Sequence, residues 1–324
     1  MFKEFHSLKL EHLRCLKEVG IVAAFGYRTC IVMNDELETL CRFIDANKDE
    51  KYYCGEFFEN KMSNFCSPNK YFLVLGGETG VIKILDIQEG VLATFLTGHT
   101  GAVCDIKILG NHIVSSGEDS SIRIWSLRSL KCIGVCGGIF GHKDHILSID
   151  ILFDRSMIVS SGTDCVIKQW KIDDFKKRYL NYEPFTSFNN IHCCPISKIK
   201  YYGNMIVSLC NNTISMVFNN REKIDSSLNF NKNDPIFIGS IDLFNNCKTF
   251  DILGHILLGM GSNGDVYIFD LRSIAEESMP LLMSTNVNAA EDFIFMNDLL
   301  YISSGNAIHR IKLDLSYFND KYTV

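Results

Sequence analysis

Two stretches of this chain repeat each other. One reads Gly98-His99-Thr100-Gly101, then Ile113-Val114-Ser115-Ser116-Gly117-Glu118-Asp119, then Ile122-Arg123-Ile124-Trp125. The other reads Gly141-His142-Lys143-Asp144, then Ile158-Val159-Ser160-Ser161-Gly162-Thr163-Asp164, then Ile167-Lys168-Gln169-Trp170. The offset is roughly 45 residues, the length of one small sheet with its turns. A unit this short cannot bury its own apolar face, so several copies must stack against one another.

Weaker copies fill the rest of the chain. Ile21 to Met33 is one. Phe72 to Gly77 turns at Thr79-Gly80 into Val81 to Leu85, and Met205 to Ser208 turns at Asn211-Asn212 into Thr213 to Phe218. Ile256 to Gly261 turns at Asn263-Gly264 into Val266 to Phe269, and Leu299 to Ser303 turns near Asn306 into Ile308 to Ile311. These β-branched runs alternate with period two and are bounded by turn residues, as strands are. With the two strong copies they make seven units. A GH dipeptide opening a unit and a Trp near its end are the marks of the WD40 repeat. The expected fold is an all-β, seven-bladed WD40 β-propeller occupying residues 1–324 as one domain. Its N-terminal strand, within Phe2 to Leu10, should pair with the inner strands of the last blade and close the ring. Asn60 to Asn69, Lys176 to Asn190 and Arg221 to Pro235 are polar and read as loops between blades.

Composition excludes several function classes. Of 324 residues, 47% are hydrophobic, enough for a large core, and the formal net charge is -6. Phosphate contacts require Lys and Arg, so direct nucleic-acid binding is not expected, and an acidic surface suits a basic partner. The 13 Cys form no CxxC pair and no Cys/His spacing of a zinc site. They read as free thiols, many inside apolar runs, as Cys30, Cys104 and Cys132 are. Met1 to Leu10 lacks the apolar core of a signal peptide, and no run is long enough to span a bilayer. No Gly-rich loop follows a strand and opens a helix. No metal or cofactor is expected.

His99, Ser116, Asp119 and Trp125, echoed by His142, Ser161, Asp164 and Trp170, have the residue types of a catalytic triad. A nucleophilic triad occurs once in an enzyme, whereas this set occurs in two successive repeats. A structural network is expected instead, with each Asp accepting from the imidazole and the imidazole linked to the hydroxyl and the indole N–H. Gly254-His255 imitates the dipeptide outside its place in the unit. No enzymatic activity is expected.

The fourth unit runs Cys136-Gly137-Gly138-Ile139-Phe140-Gly141-His142-Lys143-Asp144-His145-Ile146-Leu147-Ser148-Ile149-Asp150, with a diglycine ahead of its GH. It resembles the fourth repeat of the embryonic ectoderm development / extra sex combs family, the WD-repeat subunits of Polycomb repressive complex 2. Phe43 to Tyr53 is similar to that family's acidic segment ending in two aromatics. Ile191-His192 with Tyr201 to Ser208 is similar to its fifth repeat, and Phe5 to Lys9 is weakly similar to its first strand. The resemblance implies a scaffold that holds a SET-domain histone methyltransferase on one propeller face. On the other face it implies an aromatic cage for trimethylated lysine of a histone H3 tail, since an electron-rich ring face attracts a methylated ammonium.

Carried over residue by residue, the cage is incomplete. Tyr53 matches a cage tyrosine and Phe250 falls at a second cage aromatic, while Thr249 stands for the cage tryptophan. The first cage aromatic falls near Leu13 or Arg14, and two further ligand-lining positions are Pro195 and Asp292. Tyr53 and Phe250 are therefore the candidate peptide contacts, with an ordinary loop tyrosine and a core phenylalanine as their alternative roles. The first functional reading is a non-catalytic scaffold of a Polycomb-type methyltransferase complex in the nucleus, with methyl-lysine reading weakened or lost. The second is a general WD-repeat adaptor in ubiquitin ligation, trafficking or ribosome assembly, which would place it in the cytoplasm.

Overall fold

The β-branched runs form strands throughout, with a short 3-10 turn at Phe153–Arg155. The computed structural model describes residues 2–5, 8–60, 70–172, 180–218, 236–243, 247–272 and 281–313. These make seven sheets, six antiparallel ones of four strands and one of five whose outermost strand is parallel. Blade 1 starts with the strand Leu10–Leu16, blade 2 with Tyr52–Asn60, blade 3 with Val103–Leu109 and blade 4 with Ile146–Leu152. Blades 5, 6 and 7 start with Lys198–Tyr202, Cys247–Leu253 and Asp292–Met296. These seven first strands are the inner ones. Each contacts the next around the axis, and blade 7 returns to blade 1. A closed ring leaves no sheet edge at its centre.

The core is divided by the blades. One buried hydrophobic cluster fills each of the seven junctions. Successive side chains on a strand point to opposite faces. Ile113 thus packs between blades 2 and 3, and its neighbour Val114 between blades 3 and 4. Ile158 and Val159 divide in the same way between the next two junctions. Second strands are therefore buried on both faces, which is why they read as unbroken apolar runs. Each fully buried Val, Leu or Ile contributes about 1.5–3 kcal/mol of transfer free energy.

Carboxylates stitch the inner strands together. Asp105 accepts the Ile149 N–H at 3.1 Å, Asp150 accepts the Tyr201 N–H at 2.8 Å, and Asp292 accepts the Leu13 N–H at 3.1 Å. Each bond runs from one blade to the next and satisfies an inner-strand amide that has no ladder partner.

The N-terminal pairing differs from expectation. Phe2–Glu4 pairs antiparallel with Ala307–Lys312, opposing Phe2 to His309 and Glu4 to Ala307. That is the outermost place in blade 7, not the inner one, because Asp292–Met296 already fills the inner position. Leu10 belongs instead to the inner strand of blade 1. Part of the expected loop Lys176 to Asn190 is also strand. Leu180–Tyr182 adds parallel to the outer strand of blade 3, and Thr186–Phe188 completes blade 4. Asn60 ends a strand; residues 61–69 and the expected loop Arg221 to Pro235 lie outside the described residues.

Candidate functional site

One face of the ring is built from two sets of turns that meet. The turn after each second strand receives the segment entering the inner strand. Glu78 N–H donates to Lys51 O at 2.9 Å, Glu118 N–H to Ala102 O at 2.9 Å, and Thr163 N–H to His145 O at 3.0 Å. The approach is close enough to require glycine. A Cβ on Gly77 would stand 1.9 Å from Lys51 O.

The two strong repeats carry their networks on this face. Asp119 Oδ2 lies 2.9 Å from His99 Nδ1, which donates to it, leaving Nε2 to accept from the Ser115 hydroxyl at 2.8 Å. Trp125 Nε1 donates to the same Ser115 oxygen at 2.8 Å. In blade 4, His142, Asp164, Ser160 and Trp170 repeat the arrangement, with His142 Nε2 2.7 Å and Trp170 Nε1 2.8 Å from Ser160 Oγ. Gly98 precedes His99 because a Cβ there would lie 2.9 Å from the Trp125 ring. Burial works against the Asp119 carboxylate, but the hydrogen bonds from His99 and Ser121 prevail and hold it below the usual range. Burial lowers His142, which keeps its imidazole neutral at pH 7.

The serine assignment is corrected by one residue. The hydroxyl in each network is Ser115 and Ser160, not Ser116 and Ser161. Trp125 opposes Ile113 in the ladder, and Ser115 shares the face of Ile113 two residues on, so Ser116 points away. Ser116 Oγ is buried without a partner, and Ser161 Oγ reaches Ile196 O at 3.5 Å. Blade 5 carries a reduced version: His192 Nε2 lies 2.8 Å from Ser208 Oγ, with Val217 opposite Ile206 where blades 3 and 4 have Trp.

Blade 2 has no such histidine and uses charge instead. Lys83 is buried and binds Asp45 and Glu50, the latter at 2.6 Å. Tyr52 donates its hydroxyl to Asp45, and Thr79 donates its hydroxyl to Glu50 at 2.5 Å. Burial raises the Asp45 carboxyl, yet the bonds from Lys83 and Tyr52 outweigh it and the net shift is downward. The acidic stretch Phe43 to Tyr53 is thereby a clamp on one buried lysine.

Tyr53 lies half-exposed beside that clamp, with its hydroxyl donating to Glu78. Its ring face is already occupied. The Lys51 ammonium sits 5.3 Å from the Tyr53 centroid and 4.7 Å from the Tyr27 centroid, and pairs with Glu11 at 2.9 Å. Lys9 also lies over Tyr27, 5.3 Å from its centroid. Burial and the bond to Glu78 raise the Tyr53 phenol above its ordinary value. Tyr27, 44% exposed, has no signal in the sequence; only the bridge between Tyr27 and Lys51 brings it to Tyr53.

The other carried-over positions do not complete a cage. Phe250 is 1% exposed and packs in the cluster between blades 5 and 6 with Val207, Leu257 and Tyr267. Leu13 is fully buried between blades 7 and 1, and Arg14 turns into the axial channel, where it pairs with Asp292 at 3.3 Å. The cysteines among the described residues are all free thiols, Cys30 buried and Cys104 and Cys132 half-buried. No cluster of three or more His, Cys, Asp or Glu that could hold a metal occurs among the described residues.

Comparison with known proteins places this geometry. The family described as WD domain, G-beta repeat matches residues 90–126 and 131–171. Polycomb protein esc of Drosophila melanogaster is 29% identical over 203 residues, which is 55% of this chain and 46% of that protein. Polycomb protein EED of Chaetomium thermophilum is 30% identical over 148 residues, 42% of this chain and 26% of the relative. The chain spans about half the length of the esc relatives it matches. A chain in the crystal structure of an active polycomb repressive complex 2 in the basal state superposes with a TM-score of 0.74 at 17% identity, covering 85% of this chain and 70% of that one. A chain of the Chaetomium thermophilum complex with H3K27me3 and H3K27M gives 0.71 at 17% identity, with coverage of 85% and 70%. By fold the chain is a seven-bladed WD-repeat propeller, and by sequence it is similar to the Polycomb esc and EED proteins.

Proposed function

We propose that this chain is a non-catalytic scaffold subunit of a Polycomb-type histone H3 lysine methyltransferase complex and works in the nucleus. We also infer that residues 1–324 act as one propeller unit. The observation that carries the reading is the sequence relationship to esc and EED proteins. Its partner is a SET-domain methyltransferase. Leu40 and Ile44 on the outer strand of blade 1, and Val91, Leu92 and Phe95 on that of blade 2, are exposed and suit a partner's apolar segment.

Methyl-lysine reading is the weaker half of the proposal. Tyr53 is half-exposed but carries the Lys51 ammonium over its ring, and Phe250 is committed to the core. The chain thus holds its enzyme while binding a methylated H3 tail feebly.

Affinity purification of the chain from its native cells, followed by mass spectrometry, tests the scaffold. Recovery of a SET-domain methyltransferase is expected. Recovery of ligase, coat or ribosome-assembly components without one overturns the reading in favour of a general WD-repeat adaptor.

A further inference from the structure

The axis of the ring holds a cavity of about 270 Å³ to which all seven inner strands contribute side chains. Arg14, Lys17, Lys107, Lys198 and Lys200 bring five cations to its wall. Nearly all the carboxylates there are already engaged. Asp105, just behind the wall, takes the Lys107 ammonium at 3.0 Å and the Ser148 hydroxyl at 3.1 Å besides its amide. Asp150 holds the Tyr201 amide, Asp251 pairs with Lys200 and accepts the Ile252 N–H at 2.7 Å, and Asp292 is shared by Leu13 and Arg14. Glu56 remains, and its field falls on Arg14 and Lys107.

Lys198 is left over. It lines the cavity half-buried and makes no hydrogen bond or ion pair with the described residues. Burial lowers its ammonium to about 8, with Asp105 pulling the other way and Arg14, Lys107 and Lys200 adding to the depression. An ammonium without an ion-pair partner, facing Arg14, Lys107 and Lys200 in a narrow channel, produces a local positive potential focused by the low-dielectric walls.

We propose that the axial cavity binds a small tetrahedral oxyanion of the phosphate class, with Lys198 as its main ligand and Lys107 and Arg14 beside it. The anion gives Lys198 the partner that the described residues do not, and the cavity has room for it, since a water occupies only about 30 Å³. Binding is coupled to a proton. The ammonium form of Lys198 attracts the anion and the neutral amine does not, so affinity is greatest well below pH 8 and falls as pH rises through it.

Calorimetric titration of the full chain in a chloride-poor buffer provides the test. Heats are preferred to thermal shifts because sulfate and phosphate also stabilise folded proteins by exclusion. Sulfate serves as the probe for pH, since its charge is constant over the range. Saturable one-to-one binding is expected, weakening about tenfold between pH 7 and 9 as the ammonium is lost. Lys198→Met should abolish it, and Lys198→Arg should keep it and remove the pH dependence, because a guanidinium stays charged. Lys131→Met, on an exposed outer strand, should change nothing. Inorganic phosphate is then compared with glycerol phosphate. Tighter binding of the ester marks the head of a larger ligand, tighter binding of the free ion marks the ion itself, and both support the site. No saturable heat, or undiminished binding by Lys198→Met, overturns it.

Discussion

The ammonium of Lys51 lies 5.3 Å from the ring centroid of Tyr53, the aromatic proposed above as a peptide contact. The same ammonium is 4.7 Å from Tyr27, so the chain's own side chain occupies the space between two tyrosine faces. An exposed cation–π contact contributes about 0.5–1 kcal/mol. A ligand must displace it, and its removal should strengthen binding of a trimethyl-lysine H3 peptide by about two- to fivefold. Lys51→Ala measured by peptide titration is expected to show that gain, and Tyr53→Ala should erase it. Equal affinity for Lys51→Ala and the parent chain would mean that Lys51 does not compete.

The one-residue distinction within the Ser115-Ser116 pair has a thermodynamic consequence. Ser115 Oγ serves both His99 Nε2 and Trp125 Nε1, each at 2.8 Å, so Ser115→Ala leaves two buried polar atoms unpaired. Each such atom costs about 1–3 kcal/mol. Ser116 Oγ has no partner to lose. Urea unfolding should show Ser115→Ala destabilised by roughly 2–4 kcal/mol and Ser116→Ala within about 0.5 kcal/mol of the parent. Equal losses for the two would return Ser116 to the network.

The blades that were easiest to read in sequence are those whose polar groups obey a fixed spacing. His99, Asp119 and Trp125 lie at set positions in one sheet, and the same spacing returns in His142, Asp164 and Trp170, so the repeat betrays both. Blade 2 solves the same problem with Asp45, Glu50 and Lys83, which belong to no repeat, and the acidic run read only as a family motif. Ser115 and Ser116 are both serine, so only the ladder register, which sets Ile113 against Trp125, separates them. The Tyr27–Lys51–Tyr53 stack joins a turn of blade 1 to the entry of blade 2, and no periodicity in the sequence announces a contact between those two points. The channel cations were equally hidden. Arg14, Lys107 and Lys198 come from three different blades and meet only once the ring has closed.

His12 is expected to contribute to the acid sensitivity of the fold. Burial lowers its imidazole to about 4, against the attraction of Asp292. Its folded value lies below the unfolded value of about 6.5, so the unfolded chain binds the proton first. Stability is full above pH 6.5 and is lost as pH falls from there toward 4, by up to about 3 kcal/mol from this one group. Denaturation midpoints at pH 7 and pH 5 should converge for His12→Gln relative to the parent. An unchanged pH slope in that variant would assign the acid sensitivity to another group.

Lys83 offers the sharpest stability test, because its charge has no solvent to fall back on. It is buried between Asp45 and Glu50, both also buried, and Tyr52 and Thr79 complete their hydrogen bonds. Removing one partner of such a cluster leaves two carboxylates without their cation, a change that costs about 3–5 kcal/mol. Lys83→Met keeps the aliphatic length and deletes only the charge, so packing is little altered. Urea denaturation at pH 7 should show a loss of that order. The loss should shrink as pH falls, because protonation relieves the stranded acids. The Lys51–Tyr27 contact beside the clamp should persist, since Lys51 is tethered separately by Glu11. A variant as stable as the parent would mean that solvent reaches the cluster and that the clamp contributes nothing to blade 2.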